Sequence, residues 1–121
     1  MLVFHVEDDM DIREITKMAL EMIGDFTVLQ FDCGETALAS AADLKPDVLL
    51  LDVMMPGMSG PETLAKLREF PHMAMVPAIY MTARVQPNEI EEFKNTGALG
   101  VIVKPFDPVT LGQEIVDMMS K

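Results

Sequence analysis

The stretch Asp47-Val48-Leu49-Leu50-Leu51-Asp52-Val53-Met54-Met55-Pro56-Gly57 decides how this chain folds. Its aliphatic run, Val48 to Leu51, closes on a carboxylate, Asp52, and a Pro-Gly turn follows. A run this short, bounded by turn residues, reads as a strand buried on both faces, as the strands of parallel sheets are. Ligands of open parallel sheets sit beyond the carboxyl ends of the strands. Asp52 therefore ends the expected central strand at the place where such folds do chemistry.

Working outward, the same alternation repeats. Upstream, Leu2 to Val6 reads as strand one. Asp9 or Asp11 caps a helix whose apolar positions Ile12, Ile15, Ala19, Met22 and Ile23 are expected inward, with Arg13, Glu14, Lys17 and Glu21 outward. Gly24 ends that helix. Thr27 to Phe31 is strand two, and Gly34 to Leu44 a helix burying Ala37, Leu38, Ala41 and Leu44 before Pro46. Downstream, Pro61 sits just inside a third helix that buries Leu64 and Leu67. Pro77 to Thr82 is strand four. Pro87 opens helix four, with Ile90 and Phe93 inward and Gly97 closing it. Gly100 to Val103 is strand five, and Pro108 opens helix five, where Leu111, Ile115 and Met118 or Met119 recur. Parallel strands joined by helices demand right-handed crossovers. The expected architecture is a three-layer α/β sandwich of five strand–helix units.

The chain has 121 residues, which suits one domain spanning 1–121. Twenty acidic against nine basic residues give a formal net charge of −11. Phosphate backbones would meet a repulsive field, so direct nucleic-acid binding is not expected. Cys33 is the only cysteine, which excludes an internal disulfide and a cysteine-based zinc site. The opening Met1-Leu2-Val3-Phe4-His5-Val6 is too short for a signal peptide, and no apolar run approaches membrane-spanning length. A cytoplasmic location is the expectation. His5, mid-strand between apolar neighbours, reads as a neutral core histidine, and His72 as an exposed loop residue.

The strand ends carry the chemistry. Strand one ends in Glu7-Asp8-Asp9, strand three in Asp52, strand four in Thr82 and strand five in Lys104-Pro105. If strands one and three are neighbours, Glu7, Asp8 and Asp52 converge. Two carboxylates about 4 Å apart repel by roughly 4 kcal/mol at an effective dielectric near 20. Such a cluster needs a proton or a cation, and oxygen ligands suit Mg²⁺. A carboxylate nucleophile, a divalent metal, a hydroxyl and an ammonium together make a phosphoryl-accepting site. Asp9 is expected to be a cap rather than a ligand.

These residues carry a resemblance. Val6-Glu7-Asp8-Asp9 with Ile12-Arg13, Leu51-Asp52-Val53-Met54-Met55-Pro56-Gly57-Met58-Ser59-Gly60, Thr82-Ala83 and Val103-Lys104-Pro105-Phe106 resemble the receiver domain of the bacterial two-component response regulators. The resemblance implies a doubly wound, flavodoxin-like sheet of order 2-1-3-4-5. It implies that Asp52 accepts a phosphoryl group from a phosphohistidine of a sensor kinase or phosphotransfer protein. It implies Mg²⁺ held by Asp8, Asp52 and the backbone carbonyl of Met54, with Glu7 supporting through water. Thr82 and Lys104 would contact the phosphoryl oxygens, and Lys104-Pro105 would be cis. The expected product is an aspartyl phosphate in a phosphorelay, formed by a self-catalysing phosphoacceptor rather than a turnover enzyme. The expected output surface is helix 4–strand 5–helix 5. Where many members carry an aromatic switch residue on strand five, this chain has Val101.

Three other classes fit less well. Aspartyl-phosphate hydrolases resemble an Asp-x-Asp motif, and Met54 stands where the second Asp would be. A flavin-binding module would want a phosphate cradle after strand one, where Glu7-Asp8-Asp9 repels phosphate. A constitutive adapter would not need the full acid set, though Val101 suits one. Both a stand-alone receiver and the receiver piece of a longer chain satisfy the sequence.

Overall fold

The computed structural model describes residues 1–83 and 85–120. Five strands, β1 (Leu2–Val6), β2 (Thr27–Phe31), β3 (Val48–Asp52), β4 (Ala78–Thr82) and β5 (Gly100–Val103), form one sheet. All pairs are parallel and the order is β2-β1-β3-β4-β5, as expected. Five helices pack on its faces: α1 (Met10–Met18), α2 (Gly34–Ala41), α3 (Gly60–Leu67), α4 (Pro87–Asn95) and α5 (Leu111–Met119).

Every residue of β3 is buried, which is why its sequence alternates nothing. Leu49 and Leu51 face one core with Phe4, Tyr80, Leu64, Leu67 and Phe93, under α2, α3 and α4. Val48 and Leu50 face the other with Val3, Ile79, Ile102, Leu111 and Ile115, under α5 and the helical residues Ala19 and Leu20 that follow α1. Each leucine so buried contributes about 1.5–3 kcal/mol. Asp47 sets the register at the strand's entry: its Oδ2 accepts from Leu2 N at 2.6 Å and its own N donates to Leu2 O at 2.8 Å.

The first helix corrects the sequence reading. Asp9 is its N-cap, accepting from the N–H groups of Asp11 and Ile12. Its buried face is Thr16, Ala19 and Leu20, while Ile15, Met22 and Ile23 are exposed. The apolar spacing traced a stripe that is not the one lying on the sheet. From Ala19 to Ile23 the coil widens into a π-helical turn, which shifts the phase of everything after it. Two other boundaries move: α2 ends at Ala41 rather than Leu44, and α5 begins at Leu111, with residues 108–110 in turn. Leu38 and Leu44 still pack against the first core, and Met118 and Met119 against the second.

No helix among the described residues is long and apolar enough to cross a membrane.

Candidate functional site

The carboxyl ends of β1, β3, β4 and β5 meet around an open cavity of about 860 Å³, lined among others by Glu7, Asp8, Asp52, Met54, Thr82 and Lys104. Each strand delivers one part. The last β1 pairing is Val6 with Leu51, so Glu7 and Asp52 emerge side by side. Glu7 N still donates to Phe31 O at 3.0 Å, and the chain then turns into the Asp9 cap. Val53 N donates to Met81 O at 3.0 Å, holding Asp52 against β4 until the last residue. Lys104 N donates to Thr82 O at 2.7 Å, so the lysine enters one residue beyond the threonine's ladder partner, Val103.

After Asp52 the loop turns at Gly57, whose φ of +77° suits glycine, and returns to the strand. Gly60 N donates to Val53 O at 3.0 Å. A Cβ on Gly60 would run into the carbonyl oxygen of Asp52. Only glycine lets α3 begin so close to the acid. Ser59 caps the helix, its Oγ accepting from Glu62 N at 3.3 Å.

The three predicted acids do converge. Glu7, Asp8 and Asp52 each offer a carboxylate oxygen, and these atoms lie within 4.8 Å of one another. Glu7 and Asp52 are buried, and Asp8 is exposed. Lys104 Nζ donates to Glu7 Oε1 and to Asp52 Oδ1, both at 3.0 Å. One ammonium cannot neutralise three carboxylates. Burial, and then a hydrogen bond shared with Asp52, push Glu7 up to about 8 against the pull of Lys104. Burial and the neighbouring Asp52 thus make the charged form of Glu7 costly, and a cation beside it relieves that cost. Burial opposes the charge of Lys104, but its bonds to Glu7 and Asp52 outweigh that and raise it above the ordinary lysine value. Oxygen donors around an uncompensated charge are chemically suited to a metal ion.

Thr82 is buried at the end of β4. Met54 has its side chain largely in solvent, 77% exposed. Lys104-Pro105 is cis, as the resemblance implied. Val101 is half-buried against the first core, opposite Tyr80 on β4. Tyr80 Oη lies 2.7 Å from Thr96 Oγ1, at the C-cap of α4. The histidines stand apart: His5 is fully buried and His72 is exposed. Sequence reasoning quoted Gly60 within the motif but gave it no role, and it assigned Arg13 to the outer face of α1. A glycine immediately before a helix-opening proline was the available signal for the first. An arginine within six residues of an acidic triplet was the signal for the second.

Comparison with known proteins agrees with this fold. The sequence matches the response regulator receiver domain over residues 3–116. The phosphate regulon transcriptional regulatory protein PhoB of Pseudomonas aeruginosa is 37% identical over 103 residues, covering 85% of this chain and 44% of PhoB. The DNA-binding transcriptional regulator NtrC of Salmonella typhimurium is 37% identical over 106 residues, 88% of this chain and 22% of NtrC. The chain thus spans less than half the length of either relative. The expected lack of direct nucleic-acid contact accordingly concerns these 121 residues and not the proteins they resemble. The chemotaxis protein CheY4 of Vibrio cholerae superposes with a TM-score of 0.90 at 32% identity, covering 97% of each chain. The chain belongs to the response regulator receiver domain family.

Proposed function

We propose that Asp52 accepts a phosphoryl group from a phosphohistidine of a sensor kinase or phosphotransfer protein. The observation that carries this is Lys104, 3.0 Å from both Glu7 and Asp52 in a pocket of three carboxylates. A carboxylate oxygen of Asp52 attacks phosphorus. The new P–O bond forms as the P–N bond breaks, and the imidazole leaves with the bonding pair. Mg²⁺ would be held by Asp8, Asp52 and the carbonyl oxygen of Met54, with Glu7 supporting through water. When bound, it supplies positive charge toward the phosphoryl oxygens. Lys104 exchanges its contact with Asp52 for those oxygens, and the Thr82 hydroxyl donates to one of them.

The product is long-lived because Met54 brings no acid to activate water. The domain is a phosphoacceptor with slow self-hydrolysis rather than a turnover enzyme. Its 121 residues form a single receiver whose whole-protein output lies with a downstream protein or an attached domain. The cytoplasm, where kinases and nucleotide phosphates are found, is its compartment.

The new group adds about −1.5 to −2 charges. Moving a two-state equilibrium from 1:99 to 99:1 takes about 5.5 kcal/mol of differential stabilisation. Thr82 and Lys104 carry that difference to the α4–β5–α5 surface, where Leu99, Val103 and Val116 already stand exposed. With Val101 in the usual aromatic place, the side chain beside the threonine's strand moves little.

The test is labelling by a small phosphodonor with Mg²⁺. Wild type should take up an acid-stable, base-labile phosphoryl group, and Asp52→Asn none. Equal labelling of the variant overturns the assignment.

A further inference from the structure

Arg13 is the one cation of α1 that turns toward the acids. Its Nη1 donates to the carbonyl oxygen of Glu7 at 2.8 Å and to that of Asp8 at 3.1 Å. These are the peptides where β1 has run out and α1 has not begun. The Glu7 and Asp8 side chains branch from the same short stretch of backbone that these bonds hold. Arg13 is itself anchored from below: Gln30 Nε2 on β2 donates to Arg13 O at 2.7 Å and meets His5 Nδ1 at 3.1 Å. His5 is fully buried and lies two residues before Glu7, on the same face of β1. A chain of polar contacts therefore runs from the core of β1, through β2, to the acidic loop.

We propose that Arg13 is a positioning residue for the cation site, fixing the Glu7–Asp8 peptides through their carbonyls while Gln30, itself held by His5, anchors the Arg13 main chain. The proposal rests on the reading that Asp8 and Asp52 hold a divalent cation. It makes the arginine serve that cation although both are positive. This opposition of geometry and charge gives the proposal its sign. If Arg13 acted only as a nearby charge, removing it would tighten the binding of a divalent cation. If it served stability alone, removing it would lower Tm and leave the affinity unchanged. As a positioning residue, its loss weakens binding, on the order of tenfold, the lower end of what outer-shell partners of a metal site contribute.

The experiment is a Mg²⁺ titration of the metal-free protein, followed by backbone amide shifts, for wild type, Arg13→Ala, Arg13→Lys and Asp8→Asn, with Tm measured alongside. Arg13→Ala should raise Kd about tenfold and move the amides of residues 7–9 before any Mg²⁺ is added. Arg13→Lys, which keeps a donor within reach of one carbonyl, should recover most of the affinity. An Arg13→Ala Kd equal to or below that of wild type overturns the proposal, as does a loss that Arg13→Lys leaves wholly uncorrected. Should Arg13→Ala not fold, Arg13→Gln replaces it, with affinity falling in the order Arg, Lys, Gln; equal affinities overturn the proposal. Wild type that binds no Mg²⁺, or Asp8→Asn that binds it fully, instead defeats the cation-site reading itself.

Discussion

The ammonium of Lys104 stands 3.0 Å from Oδ1 of Asp52, although the two residues are 52 positions apart in sequence and two strands apart in the sheet. The same nitrogen is 3.0 Å from Glu7 Oε1. Lys104 thus supplies positive charge to the same carboxylates that a divalent cation would use, and the two would compete.

Lys104→Met should separate these roles. Without Mg²⁺, the variant leaves buried carboxylates uncompensated and should lose roughly 3 kcal/mol of stability, the lower end for breaking a buried pair. With Mg²⁺ it should recover more Tm than wild type does, because the competing charge is gone. Thermal melts with and without Mg²⁺ measure both. A Tm gain on adding Mg²⁺ no larger than that of wild type would refute the competition.

Gly60→Ala should damage the site through the backbone. The added methyl meets the carbonyl oxygen of Asp52 and the backbone at Val53, so the main chain of β3 or of the start of α3 has to shift. A cost of about 1–3 kcal/mol is expected from such overpacking, read by urea unfolding. Gly57→Ala, at φ +77°, should cost about 1 kcal/mol by backbone strain alone, since nothing lies near its missing Cβ.

His5 gives the fold an acid sensitivity. The amide nitrogen of Gln30 can only donate, so His5 Nδ1 accepts and the ring proton sits on Nε2, which finds no acceptor among the described residues. Burial, with the positive charges of Lys104 and Arg13, lowers its pKa to about 3. The unfolded chain takes up this proton near pH 6.5 and the folded one does not. Stability should therefore fall as pH drops below about 6.5, by up to about 1.4 kcal/mol per pH unit from this group. Glu7, raised above its ordinary value by burial, acts in the opposite sense over this range. The contribution of His5 is therefore read as the difference between wild type and His5→Gln in urea unfolding at pH 7 and pH 5, the variant gaining stability relative to wild type as pH falls. An unchanged pH difference in the variant would remove His5 from the explanation.

Tyr80→Phe tests the link between β4 and α4. It deletes only the hydroxyl that meets Thr96, which keeps its bond to Phe93 O at 2.6 Å. A loss of about 1 kcal/mol is expected by urea unfolding, with the fold intact by its amide spectrum.

The strand ends were legible because a buried parallel strand announces itself by an unbroken apolar run, and its last residue is then known to within one position. That is why Asp52, Thr82 and Lys104 could be brought together from sequence. Parallel order also placed Glu7 beside Asp52, since neighbouring strands at a switch point share a register. Helix α1 was harder to phase. Ile15, Met22 and Ile23 are apolar yet exposed, while Thr16 is polar yet buried, so side-chain character alone pointed the helix the wrong way. Arg13 was hidden for a different reason. Its partners are backbone carbonyls, and a peptide oxygen left over between a strand and a helix has no letter in the sequence.

The most direct measurement locates the phosphoryl group. After exposure to a small phosphodonor with Mg²⁺, borohydride reduces an aspartyl phosphate to homoserine, and peptide mass mapping reads its position. Phosphorylation of Asp52 requires homoserine at position 52 and nowhere else. An unmodified Asp52, or the conversion at Asp8 or Asp9 instead, would contradict the site built here.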